Sequence, residues 1–266
     1  YRESDMPAPH VGDWASQYAP GDPSNFTSWH GDLGVEQARR SRRGYYGSVS
    51  FIDEQVGRIL KALEDKGILD NTLILFTADH GDMLGDHHLW RKSYAYESSA
   101  RIPMLLRWPK GFGHGDRRGS LVTPPVELRD LLPTFLDAAG ADCPRTLDGD
   151  SLLKLVSGKN EGWREHIDLE HSVCYAKENH WNALTDGRWK YIYHAFDGHE
   201  QLFDLKEDPN ELADLASDAG YQRTLAYWRR EMVKHFSERG EGWVKDGQLV
   251  VRPEGMIYSP NYPSKT

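Results

Sequence analysis

The sequence predicts an α/β fold: part of a mostly parallel sheet flanked by helices, followed by a small C-terminal antiparallel sheet with one covering helix. Three observations carry this expectation. The unbroken apolar run Leu73-Ile74-Leu75-Phe76, bounded by turn signals, suits a strand buried on both faces. Helix-periodic segments precede and follow it, so the order helix, strand, strand, helix points to α/β architecture. Beyond about Asp142 the pattern changes to short alternating segments and a last amphipathic stretch. The expected division is therefore 1–141 for the α/β portion and 142–266 for an α+β subdomain.

Residues 1–34, rich in Pro, Gly, Asp and Trp, show no period and read as a long irregular segment. Trp14, Tyr18, Phe26 and Trp29 favour an ordered loop laid across a surface. The short match Asn25-Phe26-Thr27 to a glycosylation acceptor carries little weight. From Val35 to Lys66 the pattern is helical, with an apolar stripe at Val49, Ile52, Val56, Ile59 and Leu63. Gly67 is placed to end that helix in a left-handed cap. The basic cluster Arg39, Arg40, Arg42 and Arg43 reads as a solvated helix face, with an anion site as the alternative. A second apolar run, Ile102–Trp108, reads as a further strand in the same sheet. Glu127–Gly140 is a helix with Leu128, Leu131, Leu132, Phe135 and Leu136 on one side; Asp130 as N-cap would put Pro133 in the first turn. A short helix is expected within Asp150–Val156. Strands follow at Ile167–His171, Trp181–Thr185, Arg188–Tyr193 and Gln201–Asp204, with Asp186-Gly187 as a hairpin signal. The covering helix is Tyr221–Glu238, with the stripe Tyr221, Leu225, Trp228, Met232 and Phe236. The tail after Gly240 holds Leu249-Val250-Val251 and then Pro- and Tyr-rich coil.

A chain of 266 residues, 38% hydrophobic and 27% charged, has a globular composition. No stretch reaches the length of a membrane helix, and no membrane association is expected. A formal charge of −9 argues against a general nucleic-acid binder, so an anionic ligand would need a local positive centre. Cys143 and Cys174 make neither a disulfide framework nor a zinc knuckle; they read as buried free thiols, with mutual pairing as the alternative. The chain begins at Tyr1, so the lack of a targeting segment says little about compartment.

Candidate chemistry concentrates just past the first apolar run, in Thr77-Ala78-Asp79-His80-Gly81-Asp82. The carboxyl edge of strands in open α/β sheets is where ligands bind. Asp79 at the strand tip could offer hard oxygen to Ca²⁺, Mg²⁺ or Mn²⁺, and His80 could add an imidazole. The competing reading is that Asp79 only caps a turn. Lys92 could bring an ammonium back over the strand tip to face an oxyanion; a lone lysine is otherwise simply solvated. His87 and His88 are adjacent, so at most one of them serves a pocket. His171, His180 and Trp181 lie at ends of C-terminal strands, where they could line a sugar pocket or simply pack.

The segment TLILFTADHGDMLGDHHLWRKSYAYESSARIPMLLRWP resembles the central signature of the sulfatase family, within the alkaline-phosphatase-like superfamily. YYGSVSFIDEQVGRILKALEDKG and ELRDLLPTFLDAAG are similar to the helices flanking that signature. LDGDSLL and LFDLKEDPNELADLA are similar to C-terminal subdomain markers. Together the resemblance covers most of 35–216. It implies that Asp79 and His80 are divalent-metal ligands, usually for calcium, and that Lys92 contacts sulfate oxygens and helps the leaving group depart. His87 matches the histidine of the family's Gly-Asp/Glu-His. The implied partners are sulfated small molecules or glycans, and a periplasmic or secreted location accords with the resemblance.

The sequence departs from the family pattern at the nucleophile, a formylglycine made within Cys/Ser-x-Pro-x-Arg. Cys143 reads Cys-Pro-Arg-Thr, Cys174 reads Cys-Tyr-Ala-Lys, and Ser120 and Ser151 also fail the motif. The acidic metal-ligand pair expected near the start of the full domain is absent too. The sequence therefore looks like a C-terminal portion, expected to be inactive alone and completed by an N-terminal portion. Histidine beside Asp79 admits manganese or zinc as well as calcium. Phosphonate monoester and phosphodiester hydrolases of the same superfamily share Asp-His and Gly-Asp-His-His and form the alternative enzyme reading; a non-catalytic remnant that binds sulfated glycans is a third.

Overall fold

The computed structural model describes residues 1–22, 25, 27–143 and 145–255. Its helices are α1 (Val35–Asp65), α2 (Glu97–Ala100), α3 (Leu131–Ala139), α4 (Leu152–Val156) and α5 (Gln222–Phe236). Its strands are β1 (Ile74–Thr77), β2 (Met104–Arg107), β3 (Ile167–His171), β4 (Trp181–Thr185), β5 (Trp189–His194), β6 (Glu200–Asp204), β7 (Val244–Lys245) and β8 (Gln248–Leu249). The chain forms two units, each assembled from separate stretches. The first contains 1–9, 33–80 and 102–165; the second contains 10–32, 81–101 and 166–266. Phe26, and with it the Asn25-Phe26-Thr27 match, and the Pro- and Tyr-rich tail beyond residue 255 lie outside the described residues.

In the first unit the expectation of a parallel sheet does not hold. β1 and β2 form an antiparallel pair, with Ile74 opposite Arg107 and Thr77 opposite Met104. An apolar run specifies burial but not direction. Direction is set by the connection, and the segment between these strands returns the chain antiparallel instead of crossing over. Their apolar side chains are also more open than a double-sided core strand requires: Leu105 is 63% exposed and Phe76 38%. A small core of Trp108, Leu153 and Val156, with Leu73 and Leu106 against it, joins the pair to α4.

Helix α1 ends as its sequence dictates, with Gly67 at φ +68 and its N–H donating to the Glu64 carbonyl. Its apolar stripe, however, faces solvent: Val49 and Ile52 are each 50% exposed and Ile59 61%. Leu128, Leu132 and Phe135, in and just before α3, are exposed as well. Of the basic cluster, Arg40 and Arg43 pair with Glu3, whereas Arg42 is buried and donates to the Ala8 carbonyl at 3.3 Å. Asp130 does not cap α3 as expected: its backbone is already helical and its side chain accepts no α3 N–H. Fully buried, it accepts the Glu127 and Asp150 N–H groups and a two-pronged guanidinium from Arg164 at 2.7 and 2.6 Å. Gly140 closes α3 at φ +61.

The second unit holds the antiparallel sheet β3-β4-β5-β6. Alternation along its strands feeds two cores. Leu184, Tyr191, Tyr193 and Leu202 meet α5 through Leu225, Trp228, Met232 and Phe236, the stripe its period predicts. Trp181, Ala183, Ile192 and Phe203 point to the other face, which no helix of α5's length covers. Met83, Leu89, Tyr94, Ala95 and Tyr96 cover it instead, with Trp14, Tyr18 and Trp29 packed against them. Trp14, Tyr18 and Trp29 of the irregular segment are thus packed in place, Trp14 lying 4.7 Å from Tyr96 ring to ring. Both cysteines are free; Cys143 is exposed and Cys174 half-buried, so the expected burial fails. Among the described residues no helix is long and apolar enough to cross a membrane.

Candidate functional site

Two stretches carry the candidate chemistry, one in each unit. In the first, β1 ends at Thr77 and delivers Asp79 to an exposed position two residues on. The His80 N–H donates to Asp79 Oδ1 at 3.1 Å, and His80 Nε2 lies 3.4 Å from Asp79 Oδ2. One carboxylate and one imidazole are therefore held together at a strand tip. Calcium takes about six to eight oxygens and zinc about four donors. Among the described residues no group of three or more His, Cys, Asp or Glu side chains converges on one point. Asp79 and His80 thus make a partial donor set that completes no shell for calcium, manganese or zinc.

In the second unit, residues 81–101 form a loop and the short helix α2. Five non-glycine residues here adopt left-handed backbone: Leu84, His87, His88, Arg91 and Ser93, with φ from +48 to +92. Each costs on the order of 1 kcal/mol and persists only where the surroundings over-determine it. The surroundings do so. The Asp86 carboxylate accepts the His10 N–H at 2.7 Å and the Ser98 hydroxyl at 2.6 Å. The Tyr94 N–H donates to Ser99 Oγ at 3.4 Å, and the Gly81 N–H to the Ser99 carbonyl at 2.8 Å. A Cβ on Gly81 would stand 2.1 Å from the Ser98 carbonyl oxygen, so only glycine fits that approach.

Lys92 sits between two of the strained residues, Arg91 and Ser93. It is exposed, and its ammonium has no ion-pair or hydrogen-bond partner among the described residues. His87, five positions earlier, turns inward. It is 2% exposed, its Nδ1 accepts the Gly12 N–H at 3.2 Å, and its ring lies 4.6 Å from Trp14 and 5.4 Å from Tyr96. Burial pushes its pKa down to about 4, only partly opposed by Asp86 and Asp208, so the ring is neutral at pH 7. With Nδ1 accepting, the proton resides on Nε2.

His171 and Trp181, paired across β3 and β4, stack with ring centroids 5.8 Å apart and planes at 15°. His171 Nδ1 donates to the Asn179 carbonyl at 2.9 Å, and burial lowers its pKa. Trp181 Nε1 donates to the Ser93 carbonyl at 2.9 Å, immediately beside Lys92. His180 is buried and donates from Nδ1 to the Arg252 carbonyl.

One group in this unit escapes the sequence reading altogether. Lys190 on β5 is fully buried, its ammonium 2.7 Å from Glu97 Oε1 and 2.8 Å from Glu211 Oε1. The other Glu211 oxygen accepts the Glu97 N–H at 2.7 Å. Burial alone would push the ammonium's pKa down, but the two carboxylates outweigh it and hold Lys190 charged. Burial also raises the Glu211 pKa, against the pull of Lys190. The available signal was a lysine on the sheet face that Trp181, Ala183 and Ile192 make apolar, a position that requires buried acidic partners.

Comparison with known proteins accords with the resemblance in the sequence. The family model described as Sulfatase matches residues 6–141, and that of N-sulphoglucosamine sulphohydrolase, C-terminal, matches 85–238. An arylsulfatase of Clostridium perfringens is 36% identical over 254 residues, covering 94% of this chain and 51% of that protein. A choline-sulfatase of Rhizobium meliloti is 38% identical over 224 residues, covering 82% of this chain and 42% of that protein. A phosphonate monoester hydrolase from Silicibacter pomeroyi superposes with a TM-score of 0.73 at 28% identity, covering 90% of this chain and 51% of that one. The chain thus spans about half the length of the relatives it matches. On the two family models and these relatives, the chain belongs to the sulfatase family.

Proposed function

We propose that this chain supplies part of the site of a metal-dependent sulfuric ester hydrolase acting on an aryl or glycan sulfate. The observation that carries the proposal is Lys92: an exposed ammonium with no partner among the described residues, flanked by two left-handed residues in a loop held through Asp86, Tyr94 and Gly81. Backbone strain of this kind collects where a side chain must be presented in one geometry. In this role the Lys92 ammonium neutralises charge on the non-bridging oxygens of the ester and stabilises the departing oxygen. Asp79 and His80 contribute two donors to a divalent cation, calcium being the first choice, with the remaining ligands and the formylglycine nucleophile supplied from outside these residues. When bound, such an ion lowers the charge on the ester group. His87, buried against Trp14 and Tyr96 and accepting the Gly12 N–H, is assigned to holding the loop. Trp181, buried and stacked on His171, holds the Ser93 carbonyl beside Lys92.

The exposed apolar stripe of α1, together with Leu105, Phe76 and the open face of α3, supports completion by further polypeptide that adds strands and buries these side chains. Turnover by residues 1–266 alone is not expected. The likeness to a phosphonate monoester hydrolase favours a second reading, in which the same groups act on a phosphonate or phosphodiester.

Rates with para-nitrophenyl sulfate and para-nitrophenyl phenylphosphonate, measured on the full gene product, separate the readings. The first requires the higher kcat/KM on the sulfate; a preference for the phosphonate replaces it with the second, and no hydrolysis of either or of a sulfated oligosaccharide overturns both.

A further inference from the structure

The three-membered ion cluster on the sheet face of the second unit has a consequence for the loop that carries Lys92. Lys190 binds Glu97, the first residue of α2, at 2.7 Å, and Glu211 binds both Lys190 and the Glu97 N–H. Arg101, one turn along, lies 3.8 Å from the second Glu97 oxygen and balances the remaining charge. The next two residues of α2 do the holding: Ser98 grips Asp86, and Ser99 grips both Tyr94 and Gly81. A line of contacts thus runs from a buried ammonium, through one helical turn, to both ends of the strained segment 84–93. Glu211 is itself held in place: it adopts φ +54, is 1% exposed, and its carbonyl accepts the Trp14 indole N–H at 2.8 Å.

We propose that Lys190 is a positioning residue. By clamping Glu97 and Glu211, it fixes α2, and α2 holds the loop in the strained form that presents Lys92. An ordinary core ion pair would account for burial and charge balance. It would not account for the arrangement in which each of the first three residues of α2 is bonded to a different anchor. The sequence neighbours of Lys92 cannot maintain its geometry alone, because Arg91 and Ser93 both sit in backbone conformations disfavoured for their residue types. This inference rests on the reading of Lys92 as the oxyanion-binding group.

The test is a double-variant cycle on the full gene product with para-nitrophenyl sulfate, paired with amide hydrogen exchange. Lys190→Met should lower kcat by about 100-fold with a smaller change in KM, the usual consequence of an ångström-scale misplacement. In a Lys92→Ala background it should lower kcat no further, since the two residues act as one. Lys190→Arg, which keeps the charge, should recover most of the loss. Exchange at the hydrogen-bonded amides of Asp86, Leu89 and Trp90 should quicken at least ~10-fold while that of β4 and β5 holds. If Lys190→Met does not fold, Glu211→Gln replaces it, with the same expectations. Equal losses in both backgrounds, or exchange that quickens equally in the sheet, would assign Lys190 a merely structural role and overturn the proposal. A harmless Lys92→Ala would overturn the functional reading of Lys92 and this proposal with it; a harmful one with additive losses overturns this proposal alone. If the wild type hydrolyses no ester, the functional reading fails and this proposal fails with it.

Discussion

Protonating His87 should undo the packing of the loop it belongs to. In the folded protein its pKa is depressed to about 4, against 6.5 for a free imidazole, so between these values the unfolded chain binds a proton that the folded chain refuses. A group with a depressed folded pKa of this cationic kind stabilises fully above pH 6.5. Its contribution falls away as pH drops towards 4. A shift of about 2.5 pH units corresponds to about 3 kcal/mol, large beside the 5–15 kcal/mol that holds a domain together. Burial against Trp14 and Tyr96 is the principal cause, with Asp86 and Asp208 opposing it. The perturbation is His87→Asn, chosen because asparagine tolerates φ +55 and offers an acceptor for the Gly12 N–H. Urea unfolding of both proteins at pH 7.5, 6, 5 and 4.5 supplies the comparison. His171, His180 and His194 are also depressed by burial and contribute to both curves, so the difference between the proteins isolates His87. The wild type's advantage over the variant should shrink by about 2.5 kcal/mol from pH 7.5 to 4.5, since the last part of the shift titrates only below pH 4.5. Parallel pH profiles for the two proteins would mean that His87 takes up its proton equally in the folded and unfolded chains.

Arg164→Met should cost about 3 kcal/mol in thermal or urea unfolding of the first unit, because it strands the fully buried Asp130 carboxylate without its guanidinium; a loss under about 1 kcal/mol would show that Glu127 and Asp150 satisfy Asp130 by themselves. Gly81→Ala should displace α2 and quicken amide exchange through 83–90, since its methyl would overlap the Ser98 carbonyl; a crystal structure with α2 unmoved would contradict this. Met232→Ala should destabilise the second unit by about 2–5 kcal/mol, as truncation does in a core with no exposed surface at that site; a negligible loss by urea unfolding would mean the α5 core collapses around the gap.

Much of the second unit was legible because local pattern and tertiary packing agree there. The α5 stripe at Leu225, Trp228, Met232 and Phe236 follows one helical face, and all four residues are buried. Asp186-Gly187 turns β4 into β5, with the Asp186 carboxylate accepting the Arg188 and Trp189 N–H groups. The first unit was less legible, for two physical reasons. An apolar run such as Leu73–Phe76 states that its side chains want cover, not which way the neighbouring strand runs. A periodic stripe such as Val49, Ile52 and Ile59 likewise records a demand for a partner, whether or not this chain provides one. At the candidate site, Asp79, His80 and Lys92 stand out because their motif is local. Lys190 does not, since its partner Glu97 is 93 residues away in sequence and Glu97 meets Glu211 across 114. Loop contacts of that span leave no periodic trace. His87 shows the opposite difficulty: its motif suggests a reacting group, whereas its environment is an aromatic core.

Contact between Lys92 and the transferred oxyanion is read from the rate of para-nitrophenyl sulfate hydrolysis by the full gene product with and without that ammonium. Lys92→Ala should lower kcat/KM by about 100- to 1,000-fold, with unfolding unchanged because the side chain is exposed and has no partner among the described residues. Hydrolysis retained within a few-fold of wild type would contradict that contact.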